Sequence, residues 1–574
     1  MVSRIDRIYY QQELSYLKQQ GKIFAERHPD IAHYLGLSGN DPSLRDPHAE
    51  RIVEAFAFLM GKLNRFREAQ FPEMVQALFQ LIYPGYLRGL PSKTLVAFSA
   101  QESMIDSPVL VPKGTELYAD QLGPNGETYT FTTCWDVHVQ PVLLKKVYYD
   151  PEAPGDYGIS IVLQAHAGVD FSICEWDHFE LALTGDPGTA LELFLLLSQH
   201  LQRVSVKGKG HSVLGVDWPG FENGHDYAEH EAEYPSRLHF IRDYFDDVKR
   251  FLFFRVTGLG ELLKAEKNLT EIQLDFTFSR PLATGVHFTE EHFGLFCTVA
   301  QNLFRCDCEP FQADENSLEY ALTKDSERED LEVVRVVDVI ASQDRMIHPV
   351  RPYYHFSRDD SEQERQLFYA LRRDMAPEQG WETWLRLIDA NHQGPGALIG
   401  YTISVSVLCS NRHYAQKLEQ GRLNRIDTLI PETISVRNIS LATRAAWPPL
   451  HSRDEWDFLA HLSLDYSELE RIDVLKTLLN LYHYAKGDAG NRRIRGINEI
   501  RAEKDYIIKQ GTCVLGRRFK IDVNGNFFSG PGDVALFAHV FSCYLQSWCP
   551  INGFIRLEVF ETETGNKYEH VSWG

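Results

Sequence analysis

Near the N-terminus, Tyr10, Leu14, Leu17, Gly21 and Phe24 recur three or four residues apart. Gln12, Glu13, Lys18 and Gln19 occupy the other positions, so the spacing predicts an amphipathic helix that ends near His28-Pro29. A second helix has its start signals in Asp46-Pro47-His48-Ala49-Glu50: an N-cap oxygen, a proline at the first helical position and an acid at the dipole's positive end. Its expected buried stripe is Ile52, Val53, Phe56, Leu59, Met60, Leu63 and Phe66. A third, shorter helix is expected from Phe71-Pro72-Glu73 to Tyr83-Pro84. Together these form a helical head over residues 1–93, with no catalytic set in it. Tyr10, Leu14, Leu17, Phe24, Phe56, Leu59 and Leu63 are its candidate protein-interaction positions. The pattern alone leaves open whether that stripe packs on its own domain or on another chain.

From residue 94 the period shortens to two. Thr94–Phe98, Val109–Val111, Glu116–Ala119, Thr128–Thr132, Val137–Val139, Ile159–Ala165, Phe179–Thr184 and Ile272–Phe278 read as strands. Asn125-Gly126 marks a hairpin. Helices are expected over Ala190–Gln202 and Ser236–Phe245, the latter followed by a buried strand, Phe251–Val256. The charged stretch Lys324–Glu332 suggests a boundary, giving one strand-rich domain over 94–330 and a second, with helical insertions, over 331–574. In the second, strands are expected at Glu332–Ile340, Leu385–Asp389, Ile399–Cys409 and Phe519–Val523. Helices are expected at Trp456–Leu462, Ile472–Ala485 and Asp533–Trp548, and Phe554–Phe560 is the last strand. The fold class is α+β: a helical N-terminal segment followed by two strand-rich domains.

A chain of 574 residues exceeds a single core. A formal net charge of -22 argues against a nucleic-acid partner, since no long Lys/Arg run offsets it. No apolar run is long enough to span a bilayer, and no secretory signal opens the chain, so a cytoplasmic protein without direct membrane insertion is expected. Nine scattered cysteines fit free thiols. Chemical motifs are missing: there is no Gly-x-Ser-x-Gly elbow, no phosphate loop and no dinucleotide turn. His225 and His230 are five residues apart in a loop rich in Gly and Pro, a poor metal pattern. His461 reads as a loop tie. Trp447 and the pair Trp381 and Trp384 suggest a sugar-stacking platform, but no pair of catalytic carboxylates accompanies them. The expectation is a structural protein with no enzymatic activity and no cofactor. A carbohydrate-active enzyme or carbohydrate-binding protein is the alternative, and a metal-dependent hydrolase a third reading.

The ordered series Tyr9-Tyr10-Gln11-Gln12-Glu13-Leu14-Ser15-Tyr16-Leu17, Asp46–Arg51 and Leu81–Arg88 closed by Pro91-Ser92 resembles the TssF family of type VI secretion baseplate subunits. Further stretches continue the resemblance: Arg242–Phe245 with Phe251–Phe254, Phe296–Thr298 with Asn302-Leu303-Phe304, Ser410-Asn411-Arg412, Ala460–Tyr466 and Asn552-Gly553-Phe554. Val299, His413 to Ala415 and Asp465 depart from the family pattern. The resemblance implies a multidomain baseplate wedge protein in which two TssF chains embrace one TssG around the VgrG spike. It also implies TssK, TssE and neighbouring wedges as partners, the sheath and Hcp tube as indirect ones, and assembly at the cytoplasmic face of the inner membrane.

Overall fold

A computed structural model describes Tyr10, residues 13–17 and residues 47–574, except 102–104, 121, 124–125, 151–156, 208–213, 223–226, 228–238, 264–268, 315–316, 318, 324–329, 344–345, 354–366, 377–378, 390–399, 449–465 and 510–511. Two compact units emerge, Met1–Ile82 with Pro449–Trp456, and Tyr83–Pro448 with Asp457–Gly574.

In the first unit, Tyr10 and residues 13–17 are helical, and α1 runs unbroken over Pro47–Ile82. The two helices expected here are therefore one. Pro72 lies inside it; a proline withholds one amide hydrogen and strains the preceding turn, but neighbouring turns carry the helix through. The rings of Tyr10 and Phe58 meet edge to face at 6.5 Å, and Lys62 Nζ sits 4.9 Å from the Phe58 ring centre.

The second unit is built from sheets. A six-stranded antiparallel sheet runs in the order Arg425–Ile426, Glu116–Ala119, Tyr129–Thr133, Cys297–Gln301, Lys93–Ala100, Ile434–Asn438. The expected hairpin is its second and third strands. A larger sheet runs Phe304–Asp307, Thr402–Ser410, Glu332–Gln343, Met346–Pro352, Leu367–Met375, Trp381–Asp389, Tyr320–Ala321. Both sheets draw strands from either side of residue 330. Ile434–Asn438 pairs with Lys93–Ala100, and Phe304–Asp307 pairs with Thr402–Ser410. The 330/331 division therefore coincides with no sheet: a charged loop marks a surface crossing, which need not be a change of core.

Glu271–Phe278 has the expected alternation, burying Ile272, Leu274, Phe276 and Phe278 between Tyr157–Ala165 and Leu201–Val206. Helix α2, Pro187–Leu195, begins where Asp186 accepts from the Thr189 amide at 3.0 Å. The helix expected to reach Gln202 instead widens over Leu196–His200 and becomes the strand Leu201–Val206. Further helices are α3, His239–Asp246, α4, Ile472–Tyr482, α5, Asp488–Arg495, and α6, Pro531–Gln546. Helix α6 is apolar nearly all round and is buried accordingly. The C-terminal sheet runs Ile497–Lys509, Thr512–Val523, Phe554–Glu561, Lys567–Trp573. Phe554–Glu561 is thus not the last strand. The expected helix over Trp456–Leu462 lies outside the described residues.

Candidate functional site

The stripe expected to be buried on α1 is exposed. Ile52 is 70%, Phe56 51% and Leu59 63% accessible, while Val53 and Met60 are half-buried and Ala57 and Gly61 are the residues turned inward. Met74 and Leu81, at 59% and 53%, share the phase of that stripe. At roughly 100° per residue, all five side chains fall within about 60° of one another on an ideal helix, spread over about 44 Å. Sequence reasoning missed Met74 and Leu81 because it ended the helix before them. Tyr10, Leu14 and Leu17 are half-buried. Phe24 and the Leu63 side chain lie outside the described residues. An apolar stripe of this extent on a water-exposed surface marks an association face.

The second unit contains buried polar seams, and the family-like motifs lie in them. In the first, Lys93 Nζ reaches Asp246 Oδ2 at 2.6 Å, and Arg250 Nη1 reaches Asp243 Oδ2 at 2.6 Å, with both pairs essentially closed to solvent. Lys93 and Arg250 also lie over the Tyr227 ring, at 4.2 and 5.5 Å. Arg250 Nε donates to the Gly220 carbonyl at 3.2 Å. A Cβ on Gly220 would stand 2.0 Å from the Arg250 carbonyl, so only glycine permits this approach. Burial raises the Asp246 carboxyl despite the Lys93 ammonium, and burial also pushes the Tyr227 phenol well up.

A second seam is an amide clasp. Asn302 Nδ2 donates to Asn411 Oδ1 and to the Thr130 carbonyl, both at 2.8 Å, and Asn411 N donates back to Asn302 Oδ1 at 2.6 Å. Asn411 Nδ2 donates to Asp330 at 3.2 Å. The clasp joins the six-stranded sheet to the larger one at the start of the Asn-Arg turn, where Arg412 takes φ 47. A third seam centres on Glu332, whose two carboxylate oxygens each lie 2.9 Å from Trp447 Nε1. Burial lifts Glu332 to about 7. Arg373, itself buried, donates to the carbonyls of Leu87 and Val334. Gly380, at φ 99, leaves room for the Glu332 carboxylate, which a Cβ would meet at 2.3 Å. A fourth ties α3 to α6: Tyr244 donates to Asp533 at 2.9 Å, and Arg493 reaches the same carboxylate at 2.8 Å.

These seams satisfy charge internally and present no nucleophile to a substrate. Burial pushes the Cys174, Cys297 and Cys308 thiols up to about 12. Among the described residues no group of three His, Cys, Asp or Glu side chains converges as metal ligands; His225, His230 and His461 lie outside them. The tryptophans do not form a platform. Trp381 and Trp384 are three apart on one strand and so face opposite ways, Arg372 covers Trp384 at 5.6 Å, and Trp447 is engaged by Glu332. No described helix is long and apolar enough to cross a membrane.

A family model described as "Type VI secretion system, TssF" matches residues 2–572. The type VI secretion system component TssF1 of Pseudomonas aeruginosa is 26% identical, the alignment spanning 98% of this chain and 97% of that protein. In a TssK-TssF-TssG baseplate subcomplex of the type VI system, one chain has a TM-score of 0.77 at 23% identity, covering 91% of this chain and 98% of that one. A chain of a type VI baseplate complex gives 0.63 at 19% identity, with 99% and 98% covered.

Proposed function

The chain belongs to the TssF family of the type VI secretion system, and from that premise we propose that it is a structural baseplate subunit without turnover of its own. In this reading two copies embrace one TssG to form a wedge, and wedges surround the VgrG spike. TssK joins them to the membrane complex at the cytoplasmic face of the inner membrane, TssE is a further partner, and the sheath and Hcp tube assemble above. The observation that carries the reading is the accessible stripe of Ile52, Phe56 and Leu59 on a 36-residue helix. Support also comes from the buried seams, which hold the second unit in one register while the wedge changes its packing between loaded and triggered states. Exposed tryptophan platforms, which the carbohydrate reading needs, are lacking among Trp381, Trp384 and Trp447.

Coexpression with TssG, followed by light scattering, tests this. The expected mass is that of two chains per TssG. Leu59→Asp should prevent the complex while leaving the free chain's melting unchanged, because the side chain is 63% exposed before assembly. Burying such a side chain fully is worth roughly 1.5–3 kcal/mol, and a buried unpaired carboxylate adds a further penalty. Glu54→Gln, about 200° around the helix from Ile52 and Phe56, is the control. A complex that forms normally with Leu59→Asp would overturn the reading.

A further inference from the structure

We propose that the outer end of the C-terminal hairpin is a second docking face, taking a baseplate subunit whose apolar contact is rimmed by carboxylates; this rests on the baseplate reading above. The hairpin is made by Ile497–Lys509 and Thr512–Val523. Its partner strand Phe554–Glu561 begins pairing at Gly516, so residues 506–515 extend past the sheet as a two-stranded ribbon. One face of the hairpin is continuous. At its base the cross-strand pairs Ile500 with Ile521 and Ala502 with Phe519 bury Ile500, Ile521 and Phe519. Further out the same face carries Lys504 opposite Arg517, then Tyr506 opposite Leu515, then Ile508 opposite Cys513. Tyr506, Ile508 and Leu515 are 66%, 71% and 74% exposed, although alternation would let them face a core.

Edge strands usually carry charges that discourage association. Here that protection covers only the inner half, where Glu499, Arg501, Glu503, Lys504 and Asp505 stand, and it stops at Tyr506-Ile507-Ile508. The strand's edge is not the contact: Asp505 Oδ1 already accepts from the Tyr506 amide at 2.9 Å. That leaves the face. Its border is basic, with Lys504 and Arg517 at one end and Lys509 at the other, the last lying 4.2 Å over the Trp573 ring. The one carboxylate of residues 504–517, Asp505, is held by Arg518 and Arg556 at 3.0 and 2.8 Å. In a chain of net charge -22, this face therefore selects an acidic rim. A symmetric second copy would set Lys504 and Lys509 against themselves, which disfavours it.

Cys513 is exposed on this face, while Cys549 is half-buried and the other seven thiols are buried, so Cys513 reports occupancy directly. In a Cys549→Ser background, its maleimide labelling rate is compared between cells producing the whole secretion system and cells producing this chain alone. At least tenfold slower labelling is expected in the former. Leu515→Glu should restore the free rate and stop secretion. Lys504→Glu with Lys509→Glu should also restore it, whereas the two Lys→Arg changes should not. Equal rates in both cells, protection that survives charge reversal, or protection appearing in the purified chain as its concentration rises would each overturn the proposal. TssG copurification is read in parallel: TssG bound with Cys513 unprotected sinks this inference alone, and TssG never bound sinks the baseplate reading.

Discussion

Two stacked histidines should make the C-terminal part of the protein acid-labile. His539 on α6 lies flat against Phe221, with centroids 3.8 Å and planes 6° apart, and His570 stacks on it at 4.7 Å. His539 Nδ1 and His570 Nε2 are shut off from solvent with no hydrogen-bond partner among the described residues. Burial, helped by the neighbouring His570 ring, lowers His539 to about 3; burial lowers His570 to about 4, with Glu569 pulling the other way. Both are thus neutral when folded at pH 5, whereas the unfolded chain titrates near 6.5 and binds their protons first. Stability from this pair is present above pH 6.5 and is lost as pH falls toward the folded values. Between pH 7 and pH 5 the loss is roughly 2 kcal/mol per histidine, about 4 kcal/mol together, because both folded values lie below that window. Glu332 acts oppositely: raised to about 7, it favours the folded state below its unfolded value, and that contribution disappears as pH rises through 7. The histidine part is therefore read against His539→Phe/His570→Leu, which keeps the stack on Phe221 but has nothing to protonate. Hydrogen exchange of Pro531–Gln546 and Lys567–Trp573 in the full chain gives the local opening energy at each pH. Wild type should lose about 4 kcal/mol more than the double variant. Equal pH slopes in the two proteins would refute the argument.

Arg250→Met should cost about 3–5 kcal/mol in urea unfolding, because it strands Asp243 uncompensated in the interior. Arg425→Met, which breaks an exposed pair with Asp120, should leave the unfolding midpoint unchanged. Leu59→Asp should separate the two ways of losing function: wedge formation fails at a temperature where circular dichroism and melting match wild type.

Much of the fold is legible wherever one local rule acts alone. The Glu116–Ala119 and Tyr129–Thr133 hairpin, the alternation of Glu271–Phe278 and the extent of α6 follow from turn chemistry and apolar phase. The misses have a common cause in context. Pro72 reads as a break, yet the helix on both sides outweighs one lost hydrogen bond. Ile497–Lys509 is crowded with charge because it is an edge strand, and an edge strand hides its period. The α1 stripe is apolar at helical spacing whether it faces its own core or another chain, so sequence gives its phase and coordinates give its exposure. The seams leave the weakest trace. Lys93 and Asp246 are 153 residues apart, and Asn302 and Asn411 are 109 apart, with nothing local about either to announce a partner.

The positions of the family-like motifs make sense once those long-range pairs are seen. Apolar contacts between sheets tolerate small slips, because dispersion and burial are nondirectional. An amide clasp has one register. Val299 illustrates the distinction: it replaces the family's proline within a strand paired on Leu95, where a valine side chain packs and its amide remains available to the ladder, so the departure is benign. Asn302 has no such latitude. Asn302→Asp keeps the shape but removes the amide donor, turning a carboxylate toward Asn411 Oδ1 and the Thr130 carbonyl, both acceptors now 2.8 Å from Nδ2. Losing two buried donations, each unsatisfied group costing about 1–3 kcal/mol, should destabilise the chain by several kcal/mol at pH 7. Acidification should recover part of that loss, since the substituted side chain, once protonated, would donate again. Urea unfolding at pH 7 and pH 5 measures it. If Asn302→Asp unfolds at the wild-type midpoint at pH 7, the clasp does not hold the two sheets in register, and the motif would need another explanation.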